Sequence, residues 1–265
     1  GPEIIKRMTD NYRRFRNTLR YLLGALDGYL DDEAVDYDAM PELEKWVMNR
    51  LAELDVKIRA MTDEYDFHGI FTELHTLCNS DLSAFYFEIR KDRLYCDAPD
   101  SVERRACRTV MKELFDRLTA WLAPILCFTA EEAWQNWVDD PENSVHLRSY
   151  DPIPSNWANS GVAVRWEGIR RVRQVVMSAL ENARNDGKIG ASLQAAPIVH
   201  VSPEIKALFD DLDAASLFIT SDAVIATDPA PDNAFRLDSI TDVAIIFATA
   251  EGEKCARCWR VTPEV

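Results

Sequence analysis

Apolar side chains recur at intervals of three and four residues along the first 123 residues, and this spacing restricts the fold more than any other feature of the sequence. An α-helix has 3.6 residues per turn, so the spacing places these side chains on one helix face. It predicts four long amphipathic helices, over residues 3–30, 41–65, 67–90 and 100–123. Such helices, joined by short connections, pack together as a bundle. We therefore expect a mainly α protein.

Proline and loop-forming residues mark the end of the bundle. Pro124 ends or kinks the fourth helix, because proline lacks the backbone N–H that a helix interior needs. Thr129 and Glu132 have the spacing of a capping box, which predicts a further short helix. Asp, Pro, Asn and Gly then cluster over residues 139–160, as is typical of loops. We place the bundle domain at residues 1–156.

The pattern changes over residues 157–250, where we expect a small α+β connecting domain. A helix is predicted at residues 161–186, with Gly187 as its C-cap, and a short one at residues 203–211. The remaining apolar runs are short and predict strands, at residues 196–201, 217–220, 223–227 and 243–249.

Two cysteines near the end of the chain have the spacing of a metal knuckle. Cys255 and Cys258 are separated by two residues, so both thiolates can bind one ion, whereas structural zinc takes four Cys or His ligands. No Cys or His follows, so we expect residues 251–265 to be a truncated zinc-binding module and the chain to be a piece of a longer protein. The other cysteines lack metal or disulfide spacing and are expected to be buried apolar residues in a reducing compartment: Cys78, Cys96, Cys107 and Cys127.

Charge is unevenly distributed. The net charge of −15 argues against a general affinity for nucleic acid. Residues 1–30 and 160–190 nevertheless each hold six Lys or Arg and only three Asp or Glu. In the first segment, helical spacing places three arginines on one face and an amide and an aromatic residue on the adjacent stripe: Arg13, Arg16 and Arg20, with Asn17 and Tyr21.

Arginine binds phosphate, an amide reads base edges and an aromatic ring stacks on bases, so this stripe is a candidate surface for single-stranded RNA. A solvated basic face is the simpler alternative. In the second segment Arg170, Arg173 and Lys188 are candidates, and Gly187 and Gly190 permit a tight turn beside the lysine. A loop without a binding role is the alternative there.

Signatures of catalysis are missing from the sequence: it has no glycine-rich phosphate loop, no nucleophile motif and no paired acid and base. We expect that the chain alone catalyses no reaction. It also has no apolar run of ~18 residues and no signal peptide, so we expect a cytoplasmic protein without membrane contact.

Several segments, which together span nearly all of the chain, resemble the C-terminal region of bacterial isoleucyl-tRNA synthetases. The matching segments are GPEIIKRMTDNYRRFRNTLRYLLGAL, ELEKWVMNRL, YDFHGIFTELHTLCNSDLSAFYFEIRKDRLYC, LTAWLAPILCFTAEEAW, LENARNDGKIGASLQA and GEKCARCWR. The DLSAFY run followed by KDRLY is characteristic of this family among its relatives. The resemblance implies the anticodon-binding helix bundle of a class I synthetase, then a connecting domain that also touches tRNA, then the first half of a zinc module.

The same resemblance implies that the parent protein is an ATP-dependent ligase that charges isoleucine tRNA. The family's ATP-binding catalytic motifs and its editing domain do not occur in this chain, which would hold the tRNA-recognition end only, as a monomer that does not bind DNA. Two alternatives remain: the corresponding region of a valyl-tRNA synthetase, against which the cysteine knuckle argues, and a helical scaffold with a zinc-ribbon end that binds proteins.

Overall fold

Six α-helices lie wholly within the first of two units, residues 1–162, of the computed structural model, which describes residues 1–265. They are α1 (Pro2–Ala25), α2 (Glu42–Asp63), α3 (Phe67–Thr76), α4 (Phe87–Cys96), α5 (Val102–Leu122) and α6 (Cys127–Val138). The mainly α bundle is thereby confirmed. None of the helices combines the length and the apolar character that crossing a membrane requires.

The expected third helix is longer than its apolar spacing suggested and changes type in the middle. α3 leads directly into a π-helical segment, Leu77–Tyr86, which leads into α4, so helical backbone extends from residue 67 to residue 96. In a π-helix the backbone bonds span five residues rather than four, so each turn is wider. Pairs of buried residues accordingly recur every four residues in this segment, at 77–78, 81–82 and 85–86.

The bundle core is made by the apolar faces that the sequence spacing predicts. Helices α1, α2 and α5 contribute most of the large side chains that are less than 2% exposed, and the π-helical segment adds Tyr86. Burying each such side chain stabilises the fold by about 1.5–3 kcal/mol. The largest are Phe15, Leu22, Met48, Leu51, Leu54, Ile58, Tyr86, Phe115 and Trp121.

Two arginines with little exposure fix the elements that later form the candidate site. Arg108 of α5 donates to the Ala25 carbonyl oxygen at 3.0 Å and to Glu33 at 2.9 Å, and so satisfies a carbonyl group at the C-terminal end of α1. Arg90 of α4 makes two 2.6 Å bonds to Glu44 of α2, which is fully buried. Both pairs are bonded closely enough to offset part of the cost of burying charge.

Two expectations about the bundle helices are wrong. The first helix was expected to be amphipathic from residue 3, but residues 1–10 are all exposed, because no other element of the unit covers them. The last helix of the unit, α6, begins at Cys127 rather than at a Thr129 cap. The Thr129 hydroxyl instead lies 3.1 Å from the hydroxyl of Tyr12 in α1.

The four isolated cysteines divide into two pairs. Cys78 and Cys107 are buried, as expected, and burial raises the pKa of each thiol to about 12. Cys96 and Cys127 are exposed, so the expectation that they are buried is wrong. They occupy the last residue of α4 and the first of α6, where a helix end faces solvent rather than the core.

The second unit, residues 163–265, contains helices and a small sheet, and it includes residues 251–265, which the sequence pattern placed in a separate module. It contains most of α7 (Ser160–Asn185), whose end is followed by Gly187 at φ +72°, a left-handed conformation that suits glycine at a helix end. A four-stranded sheet has the order β2-β1-β4-β3, in which β1 and β2 are parallel and the other pairs antiparallel. Its strands are β1 (Ile198–His200), β2 (Val224–Ala226), β3 (Phe235–Leu237) and β4 (Ile240–Ile246).

Two short helices, α8 (Pro203–Ala207) and α9 (Ala214–Phe218), lie between β1 and β2. A strand was expected at residues 217–220, and that expectation is wrong. The Asp213 carboxylate accepts a bond from the Ser216 N–H and caps α9, and Ile219 ends the helix in a left-handed conformation at φ 56°. A local cap therefore decides the structure of this short apolar run.

Candidate nucleic-acid interface

Helix α1 has one buried face and one face rich in arginine. Phe15, Leu19 and Leu22 are at most 2% exposed and hold the helix in the bundle. The arginines and the amide predicted to form a binding stripe are all exposed, because positions three and four residues apart share the opposite side of the helix. These residues are Arg13, Arg16, Asn17 and Arg20.

The arginines on this face differ in their partners. Arg13 lies 3.4 Å from Asp10, and both side chains are more than half exposed. Arg16 and Arg20 have no ion-pair partner among residues 1–265. An exposed arginine carries five N–H donors and no acceptor, so two guanidinium groups on this face are available to an external anion. The chain as a whole carries a net charge of −15, so these cations stand out against an acidic background.

Tyr21 does not lie open on the surface as an exposed stacking residue would. It is half-buried, and its ring centroid lies 4.4 Å from that of Phe87 in α4, with the planes tilted by 33°. Its hydroxyl is inaccessible to solvent. Burial, followed by interaction with the nearby Tyr95 phenol, raises the pKa of Tyr21 above its usual value. The phenol therefore stays neutral.

A cavity of about 430 Å³ opens beside the arginine face, and Tyr21 forms part of its wall. Its sides come from α1, from the π-helical segment and from α4. At the wall, Arg14 of α1 donates to the side-chain carbonyl oxygen of Asn79 in the π-helical segment. The α1 spacing placed Arg14 off the arginine stripe, and no signal in the sequence singled out Asn79, because the cavity forms only when three separate segments pack together.

The second group of candidate cations lies in and after α7. Arg173 is 8% exposed, and its guanidinium donates to the Leu217 carbonyl oxygen at 2.8 Å, so it is a bonded group of the domain interior. Arg170 is half-buried and also engaged in contacts. Lys188 is exposed and lies 2.9 Å from Asp186. The structure therefore leaves Lys188 as the most accessible of the three.

The two knuckle cysteines lie at the turn of a small hairpin made by β5 (Glu253–Lys254) and β6 (Val261–Thr262). Cys255 donates its N–H to the Arg260 carbonyl oxygen at 2.8 Å, and Trp259 donates to the Cys255 carbonyl oxygen at 3.0 Å. Backbone N–H groups, that of Cys258 first, point at the Cys255 sulfur and lower the pKa of its thiol. Thiolate ligands are the form that zinc binds.

The knuckle fits zinc in the kind of its donors and in its tight turn. It supplies two of the four ligands of a structural site, and no third His, Cys, Asp or Glu of the chain joins Cys255 and Cys258 to form a cluster. Two donors of the kind that zinc binds therefore lie close together in sequence at this turn.

Several known proteins are similar to the chain over its full length. Proteins named isoleucine–tRNA ligase from Ruegeria pomeroyi, Agrobacterium fabrum and Caulobacter vibrioides are 48%, 46% and 45% identical to the chain over its full length. The chain spans 27% of the length of each of these relatives. A family described as the anticodon-binding domain of tRNA ligase matches residues 44–200. Because this match covers more than half of the chain, the protein belongs to the family of anticodon-binding domains of tRNA ligases.

Proposed function

We propose that the chain is the tRNA-recognition region of an isoleucine–tRNA ligase, a parent enzyme that joins isoleucine to its tRNA with ATP. The observation that carries this proposal is the exposed α1 face, on which Arg16 and Arg20 lack partners although the chain as a whole is strongly acidic. The names of the relatives, at 45–48% identity, support isoleucine as the amino acid of the parent.

The residues of α1 would divide the recognition of RNA between them. Arg13, Arg16 and Arg20 would bind phosphates of the anticodon arm, which gives affinity but no sequence information. The exposed Asn17 amide has both donors and an acceptor, so it would read a base edge. Tyr21, next to Asn17 on the helix, would meet a base only from within the cavity.

The second domain would contribute a weaker contact. Lys188, which is exposed just after the left-handed turn at Gly187, would bind a phosphate. Arg170 lies in the same positively charged segment and is half-buried. We leave Arg173 out of this surface, because its guanidinium is buried and bonded to Leu217.

The parent enzyme would operate in the cytoplasm as a monomer, and this region would neither bind ATP nor contact DNA. ATP and isoleucine would be used by parts of the parent beyond this chain, which spans 27% of its relatives. The reaction would depend on this region only through the placement of tRNA.

Zinc would be held by the parent through Cys255 and Cys258 with two further ligands. The lowered pKa of the Cys255 thiol and the hairpin turn support such a role. Much of the affinity of a structural zinc site comes from closing all four bonds around one ion. Metal analysis should therefore find little zinc in this chain and one zinc ion per molecule in the parent. One tightly held zinc in this chain, lost on Cys255→Ser, would contradict the half-site assignment.

Electrophoretic binding of the chain to three RNAs tests the main proposal. The RNAs are isoleucine tRNA, a non-cognate tRNA, and the non-cognate tRNA given the isoleucine anticodon. We expect the first and third to bind more tightly than the second, because base contacts rather than phosphate contacts carry specificity. Equal binding of all three would show a non-specific basic face, and no binding of any would refute the tRNA assignment.

A further inference from the structure

We propose that Arg260 is a positioning residue that holds the cysteine turn, residues 255–260, against α9, so that Cys255 and Cys258 are oriented for zinc by the second unit. This inference rests on the proposed zinc site and goes beyond it, because it concerns what orients the ligands rather than the ligands themselves. The cysteine turn, the strands β5 and β6 that flank it, and α9 all lie within the second unit, residues 163–265.

Arg260 belongs both to the cysteine turn and to the contact with α9. Its backbone carbonyl oxygen accepts the Cys255 N–H at 2.8 Å, which closes the turn. Its guanidinium donates to the Ser216 hydroxyl oxygen at 2.7 Å and lies 3.9 Å from the Asp213 carboxylate. The Arg260 side chain is 29% exposed, so the protein shields these contacts from much of the competing water.

The acceptor for Arg260 is fixed by the cap of α9. Ser216 donates its backbone N–H to the Asp213 carboxylate at 3.1 Å, and its hydroxyl group donates to the same carboxylate. A hydroxyl group has one hydrogen and two lone pairs, so the Ser216 oxygen is left as an acceptor for Arg260. The three side chains thus form a chain of hydrogen bonds that ends on a carboxylate, and each bond polarises the next.

The residue after Arg260 is held at a second point. Val261 donates its N–H to the hydroxyl oxygen of Ser221 at 2.7 Å. Ser221 is buried and is itself bonded to the domain, because its N–H donates to the Ala195 carbonyl oxygen at 3.1 Å and its hydroxyl donates to the Leu193 carbonyl oxygen. Two consecutive residues of the hairpin are therefore bonded to α9 and to the loop that follows it.

Backbone groups close the cysteine turn and the hairpin. Trp259 has a left-handed conformation, at φ 66°, and donates its N–H to the Cys255 carbonyl oxygen at 3.0 Å. Gly252 has φ +110°, and a Cβ placed there would lie 2.2 Å from the Thr262 carbonyl group, so only glycine fits at this crossing of the two strands. These contacts do not use the cysteine sulfur atoms, so an ion is not needed to form them.

A turn that is held in this way favours zinc binding and is stabilised by zinc in return. Ordering a flexible segment opposes binding, so ligands that are ordered beforehand bind an ion more tightly. Coupling is reciprocal: whatever the bond between Arg260 and Ser216 adds to zinc affinity, bound zinc adds to the stability of that bond. The effect on affinity should be measurable in the parent enzyme, where four ligands would close the site.

Hydrogen exchange of this chain, treated with a chelator to remove metal, tests the contact with α9. Arg260→Met should speed exchange of the Cys255, Trp259 and Val261 amides about tenfold, because a charge-assisted bond that keeps the turn closed is lost. Lys254→Met is the matched control, since it also removes one cation from the hairpin, but the Lys254 ammonium lies over the Trp259 ring, 4.9 Å from its centroid. The control should change exchange less than about twofold. The amides of β4 report whether each variant is folded, and equal exchange in Arg260→Met and wild type would overturn the proposal.

Ser216→Ala probes the same bond from α9. It keeps the backbone N–H of residue 216 that bonds to Asp213, so the helix cap should persist. If Arg260 acts through Ser216, exchange in the double variant of Arg260→Met and Ser216→Ala should be no faster than in Arg260→Met alone, because the second change removes a partner already lost. Effects of the two changes that multiply would mean that the side chains act independently, which refutes the direct contact.

Zinc release from the parent enzyme distinguishes a positioning role from a structural one. Transfer of zinc to a coloured chelator should be at least about tenfold faster in Arg260→Met than in wild type or Lys254→Met, the size of loss that is usual for residues that orient metal ligands. Bound zinc should also slow exchange of the Ser216 and Leu217 amides of α9 in the wild type. Equal release rates in the three proteins would refute the inference and leave the proposed zinc site standing, whereas a wild-type parent that holds no zinc would refute both.

Discussion

The two positively charged segments of the chain, residues 1–30 and 160–190, have the same charge composition but use their side chains differently. Each holds six Lys or Arg and three Asp or Glu. In the second segment the cations are engaged within their own domain. Arg165 donates to the Leu208 carbonyl oxygen at 2.9 Å, Arg171 lies 2.7 Å from Asp242, and Arg173 donates to Leu217.

On α1, by contrast, the cations mostly face solvent. Arg16 and Arg20 find no carboxylate or carbonyl partner, and the buried face that anchors the helix is made of apolar residues such as Phe15 and Leu19. A local charge surplus therefore does not by itself identify a binding surface. What distinguishes the two segments is the number of cations that the protein's own carbonyl and carboxylate groups leave without a partner.

The largest expected effect is the loss of RNA affinity on Arg16→Ala combined with Arg20→Ala. One charge-assisted bond to phosphate is expected at each position, so affinity for isoleucine tRNA should fall about 100-fold at low salt, or about 2.8 kcal/mol. The slope of log affinity against log salt should shrink by about 2, because two fewer counterions are released. Binding measured by fluorescence anisotropy at several salt concentrations gives both quantities.

Lys57→Ala is the matched control for that experiment. Lys57 is an exposed cation of α2, 49% exposed, but it is paired with Glu73 at 3.2 Å. Lys57→Ala removes one positive charge, as each of the two arginine changes does. Because Lys57 is already paired with Glu73, its removal should leave RNA affinity nearly unchanged. The free energy of unfolding of the double variant should stay within about 0.5 kcal/mol of wild type. A parallel loss of stability would mean that the two arginines are structural and that the contrast with α7 is false.

The next effect is on stability and comes from the other segment. Arg173→Met should lower the free energy of unfolding by about 1–3 kcal/mol, because it leaves the buried Leu217 carbonyl oxygen without its donor. Arg171→Met, which breaks an exposed pair with Asp242, should cost about 0–1 kcal/mol. Urea unfolding checks both values. If Arg173→Met also lowered the tRNA affinity of the folded molecules, that result would instead place Arg173 in contact with RNA.

Periodicity predicted the bundle well because apolar burial decides helix faces over long segments. It predicted α2 and α5 to within two residues of their ends, but it extended α1 five residues beyond its end at Ala25. It also predicted the change to a small α+β domain. It failed where a few atoms decide: the Asp213 cap turned an expected strand into α9, and the π-helical segment at residues 77–86 has apolar spacing that an α-helix also allows. The prediction for the N-terminal part of α1 failed for another reason. No element of its unit covers this part, so its apolar side chains stay exposed.

The candidate site was predictable only where it lies on one helix. Spacing alone placed Arg16, Asn17 and Arg20 together on the exposed face of α1. It could not show that Tyr21 turns into a cavity, because that depends on Phe87 from a different helix. It could not show that Arg173 is buried either, because its partner Leu217 lies 44 positions away in the sequence.

The smallest expected effect concerns Lys188, and it tests whether an intramolecular partner is what separates the two segments. Lys188 is exposed like the arginines of α1, but Asp186 lies 2.9 Å from it and competes for the charge. Lys188→Ala should therefore lower tRNA affinity about threefold or less, which corresponds to roughly 0.6 kcal/mol. Asp186→Asn removes the competitor and should raise affinity by a similar small factor. If Lys188→Ala cost as much as either arginine change on α1, an intramolecular partner would not be what separates the two segments, and the second domain would have to be counted as an equal part of the RNA surface.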